Sequence, residues 1–113
     1  MMLAVALMAV STVSGEEPTF QYISCVKAEV ARLRESGQGD EVVADMAVAN
    51  CEELVAGAAQ ASVDETPPEV LAAYEESGIT AAQFLERQTE IARHAARDMA
   101  LYILEEEQKD QSS

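Results

Sequence analysis

The sequence predicts an all-α fold: an antiparallel helical hairpin closed by a disulfide, then a short and a long helix, making a small four-helix domain. Three observations predict it. The 113 residues are rich in Ala, Val, Glu and Gln, with five aromatics and three prolines, a balance that favours helices. Apolar residues recur at spacings of three and four. Cys25 and Cys51 stand thirteen residues before and after Gln38, inside the turn-forming run Ser36-Gly37-Gln38-Gly39-Asp40. Two helices folded back across that run rise equally per residue, so the two thiols meet at one height.

Residues 1–15 read as a signal peptide. Residues 3–10 are eight consecutive apolar residues, the length of a secretory apolar region and too short to span a bilayer. Val13 and Gly15 fit the −3 and −1 positions of a cleavage site before Glu16. No Lys or Arg precedes the apolar run, so an apolar first helix packed on the domain is the alternative. No cysteine follows the run, so no stable membrane anchor is expected after cleavage. Residues 16–107 are then one helical domain, short enough to gain much from a covalent staple.

The first helix of the hairpin, residues 19–36, carries Tyr22, Val26, Val30 and Leu33 on one stripe, widened by Ile23. Gly37 is its stop. The second helix runs from Asp40, as N-cap, to residue 60. Its stripe is Val43, Ala47, Cys51, Leu54 and Ala58, with Met46 and Asn50 alongside. Reflection about Gln38 sets Leu33 on Val43, Val30 on Met46, Val26 on Asn50 and Tyr22 on Leu54. Asn50 is the misfit in that set and needs a hydrogen-bond partner or a wet edge. A Cys25–Cys51 disulfide is expected to be structural. There is no C-x-x-C motif and no basic residue beside Cys51 to activate its thiol.

Residues 61–66 form a short linker. Thr66, Pro67 and Glu69 then mark the start of a helix over residues 67–77, with Val70, Leu71 and Tyr74 as its apolar face. Gly78 ends it. Thr80 and Gln83 have the spacing of a capping box, with Ile79 and Phe84 at the staple positions. The long helix spans residues 81–107 and shows Phe84, Leu85, Gln88, Ile91, Ala92, Ala95, Met99, Tyr102 and Ile103 on one stripe. Acid at residues 105–107 opposes the helix dipole, so residues 108–113 are expected to be a disordered tail.

Little in the chain carries chemistry. Glu86, Glu90, His94 and Asp98 recur every four residues along the long helix. Glu90, His94 and Asp98 are the only metal-ligand candidates. Ligands stacked over two turns do not converge on one ion without help from another element. The flanking Arg87, Arg93 and Arg97 favour a salt-bridged solvated face instead. His94 is the only histidine, which excludes the paired histidines of a di-iron bundle. Gly37-Gln38-Gly39 lacks the third glycine and the preceding strand of a dinucleotide loop. No catalytic constellation is found, and neither an enzyme activity nor a cofactor is expected.

The formal charge is −14. Such a surface repels nucleic acid and anionic lipid and attracts basic proteins. The sequence therefore reads as an exported, periplasmic or extracellular, acidic helical protein. It acts by protein–protein contact, binding or inhibiting a basic partner, with a homo-oligomer as a further option. One alternative is a pH-responsive, chaperone-like periplasmic protein, since protonating the 21 acids removes its repulsion. A metal-binding protein using His94 is the other.

Overall fold

A computed structural model describes residues 17–112 of the chain. The signal-peptide reading of residues 1–15 lies outside the described residues. The described residues form α1 (Glu17–Leu33), a 3-10 turn (Arg34–Ser36), α2 (Asp40–Asn50), α3 (Glu52–Asp64), α4 (Pro68–Glu76) and α5 (Ala81–Ser112). No strand occurs among them.

The apolar stripe of α1 buries as its spacing requires: Tyr22, Val26, Val30 and Leu33 are its buried residues. Gly37 takes φ 82°, the left-handed conformation that a side chain resists, and the chain turns there. Asp40 is not the N-cap of the next helix. Gly39 fills that position, extended at φ −65° and ψ 158°, and Asp40 is the first helical residue. Its carboxylate still faces the positive end of the dipole, and it accepts a bond from Gln108 Nε2 at 2.9 Å.

The second arm is two helices rather than one, broken at Cys51. Cys51 has φ −105° and ψ 12°. Its amide bonds the carbonyl of Val48 at 3.1 Å, and its carbonyl accepts from Leu54 at 2.9 Å. These three-residue closures replace the four-residue ladder. The core stripe runs Val43, Ala47, Cys51, Val55 and Ala59, all buried, so Val55 takes the inward place expected for Leu54. Leu54 is half-buried beside it.

α3 continues to Asp64 with Ala61 buried, so the expected linker of residues 61–66 shrinks to a turn of three. Thr66 does not cap α4; its hydroxyl donates to Ser62 O at 2.8 Å, closing the end of α3. Pro67 precedes another proline, which disfavours helical backbone. It is extended at φ −59° and ψ 143°, and the helix starts at Pro68. The capping box at the start of α5 is formed. Thr80 N donates to Gln83 Oε1 at 2.9 Å and Gln83 N to Thr80 Oγ1 at 3.1 Å.

α5 runs past residue 107 to Ser112, against the expectation of a tail from residue 108. Lys109 explains the extension in part: its Nζ lies 3.3 Å from Glu106 and 3.9 Å from Glu105. A cation in the last turns offsets the acid there.

α1 packs on α2 and α3, and α5 lies across all three. The buried cluster joins Tyr22, Val26, Val30 and Leu33 to Val43, Ala44, Ala47, Cys51 and Val55, then to Ala96, Ala100 and Leu104 of α5. Alanine dominates the α5 side, which lets the helices approach closely. α4 does not cover the hairpin as a fourth core helix. It has no buried residue and touches α5 through Tyr74 and Phe84, with ring centroids 5.0 Å apart.

Candidate functional site

The disulfide comes first because it fixes the frame. Cys25 and Cys51 are bonded, with Cα atoms 6.0 Å apart. Beside it Asn50 donates to Glu29 Oε1 at 2.7 Å, which supplies the partner that Asn50 needs. Arg32 binds the same carboxylate at 2.6 Å. These two donors hold the Glu29 carboxyl below its ordinary pKa. The links from Cys25 to Cys51 and from Glu29 to Asn50 tie α1 to the other arm.

The polar face of α5 is divided between two jobs. Arg93 pairs with Glu52 of α3 and with Glu90. Its hydrogen bonds hold the Glu52 carboxyl below its ordinary pKa and raise that of the guanidinium. Arg97 binds Asp45 of α2 at 2.6 Å and reaches Glu41 at 3.4 Å. Arg34 pairs with Glu107. These arginines clamp α5 to the other helices instead of balancing His94 and Asp98. His94 and Asp98 stay exposed, and Glu90 is committed to Arg93. Among the described residues no three His, Cys, Asp or Glu side chains gather to hold a metal ion.

The clamp lies on the buried side of α5. Arg93 and Arg97 point the same way as Ala96 and Ala100. Ile91 and Tyr102, expected in the core, are left 58 % and 63 % exposed. Between α1 and α5 runs a groove of about 260 Å³, lined by Thr19, Ile23, Ile91, Ala95 and Met99 among others. Tyr22 also lines it, and its buried hydroxyl has no hydrogen-bond partner. Burial, with Glu52 nearby, raises the pKa of that phenol, and Arg93 opposes the rise.

A second surface lies at the elbow between α4 and α5. Tyr74, Ile79, Phe84 and Ile91 line an open cleft of about 740 Å³, with Glu86, Arg87 and Glu90 at its edge. Glu69, Glu75 and Glu76 of α4 are exposed, as is Glu65 before it. Residues 35–86 contain twelve acids and no Lys, Arg or His. The net charge alone hides this one-sided run, which is plain in the order of residues. Among the described residues no helix is long and apolar enough to cross a membrane. No family model, curated protein or solved structure matches the chain.

Proposed function

We propose that the protein is an exported binding module that engages a basic protein through α4 and its elbow with α5. One observation carries the reading: residues 35–86 hold no Lys, Arg or His, and within them Glu69, Glu75 and Glu76 lie exposed on α4, a helix that buries none of its residues. Acid on α4 attracts and orients a basic partner, an effect that acts mainly on association rate and specificity. Tyr74, Ile79 and Phe84 in the cleft below supply the apolar anchor that charge alone lacks. The disulfide and the apolar run of residues 3–10 support export, since such bonds persist outside the reducing cytosol.

The test compares the oxidised protein with the variant Glu69→Gln/Glu75→Gln/Glu76→Gln on a column loaded with extract from the exporting compartment at low salt. A basic protein held by the first, lost by the second and released as salt rises supports the proposal. Equal retention of the same proteins on both columns, or retention of none, rejects it.

A further inference from the structure

We infer that the exposed apolar stripe of α5 is a docking surface for a second copy of this chain, with the two α5 helices antiparallel. The inference uses a different face from the acidic arm, although Ile91 and Arg87 border both.

The stripe is unpartnered within the chain. Ile91 and Tyr102 are more than half exposed, as is Phe20, one residue from Thr19 on the rim of the groove between α1 and α5. Ala95 lies between Ile91 and Tyr102 and is exposed too. Its small side chain lets another helix come near.

The occupant is read from the charges beside the stripe. Arg87, His94, Asp98 and Glu105 follow one another along one flank of α5, since eighteen residues are five turns of helix. Arg87 and Glu105 stand nine positions either side of residue 96, and His94 and Asp98 stand two positions either side of it. An antiparallel copy pivoted at that level therefore sets Arg87 against Glu105 and His94 against Asp98, each pair twice by symmetry. Ile91 then falls within one residue of Tyr102 in the other copy, about 1.5 Å along the axis. Four of the five arginines already bind carboxylates of their own chain. Arg87 is the exception among the described residues, and His94 and Asp98 likewise have no ion pair. Among the described residues, Glu105 has an ion pair with Lys109, whose Nζ lies 3.9 Å away. Apolar contact drives this pairing, and the charges set its direction and register.

Net charge opposes it, because two chains of −14 meet. Salt screens that repulsion. Self-association therefore strengthens as salt rises, the reverse of capture of a basic partner.

The experiment is sedimentation equilibrium of the oxidised chain at several salt concentrations. The expected result is a monomer–dimer equilibrium that tightens with salt. Ile91→Glu is expected to weaken it at least about 30-fold, the size of an interface hot spot, with an unchanged helical circular-dichroism spectrum because Ile91 is exposed. Arg87→Glu alone and Glu105→Arg alone weaken it, and the double variant R87E/E105R restores it. Those two residues lie about 27 Å apart on one helix, so restoration can only act between copies. A monomer under all conditions overturns the inference. So does a dimer indifferent to I91E, or a double variant no tighter than either single one.

Discussion

At the scale of single residues, two side chains carry opposite lessons about burial. Tyr22 is 2 % exposed, and its hydroxyl has no hydrogen-bond partner. An unmet buried hydroxyl costs more than a made hydrogen bond gains. Tyr22→Phe keeps the ring and removes the cost. It is expected to stabilise the fold by about 1 kcal/mol, read as a higher urea midpoint at unchanged slope; a lower midpoint would show that the hydroxyl is satisfied. Glu52 is the reverse case, an exposed acid that accepts from Arg93 Nε at 3.1 and 3.2 Å and from Arg93 Nη2 as well. Hydrogen bonding to Arg93 sets its folded pKa below the ordinary value of 4.5. Stability from the pair is therefore full above that value and lost as pH falls through the folded one. Screening by solvent keeps it within about 1 kcal/mol. Glu52→Gln is expected to lower stability at neutral pH and leave it unchanged at strongly acid pH. Urea titrations that differ equally at both ends would assign the loss to packing.

Helices are the scale at which the sequence is most and least legible. Thr80 and Gln83 bond reciprocally at the start of α5, so Thr80→Ala is expected to cost about 0.5–2 kcal/mol. A chemical-denaturation midpoint unmoved by that change would mean the first turn of α5 frays in the native state. That box was readable because its chemistry is local. The α1 stripe was readable for a related reason: Tyr22, Val26, Val30 and Leu33 offer one apolar face and no rival. α5 offers two. Ile91 and Tyr102 lie on one stripe, and Ala96, Ala100 and Leu104 lie on another. Hydropathy favours the larger residues, but the alanines face inward, on the side where Arg93 and Arg97 reach Glu52 and Asp45 of other helices. That roll belongs to packing against three other helices, and local pattern holds no record of it. The break at Cys51 escaped notice similarly, since Asn50, Cys51 and Glu52 contain no Pro or Gly to announce it. At the candidate docking surfaces, the acidic run was visible in the order of residues. The elbow depends on α4 standing away from the hairpin, which only the packing reveals.

For the whole molecule the governing quantity is the small size of the core against the charge around it. The buried cluster holds no Phe or Trp and is built largely from Val and Ala, each contributing little apolar area. A chain of net charge −14 also repels itself when compact. The disulfide joins residues 26 apart, and closing a loop of that length removes roughly 3–4 kcal/mol of unfolded-state entropy. Small domains are stable by only about 5–15 kcal/mol, so this one link is a large part of the margin. Cys25→Ala/Cys51→Ala is therefore expected to lose roughly 3–4 kcal/mol in urea at neutral pH. The slope of the transition should rise as well, because the freed unfolded chain exposes more surface. Salt should recover part of the loss by screening the acids. A double variant as stable as the native protein, with the same slope, would show that α5 and its arginine clamp hold α1, α2 and α3 together without the covalent tie.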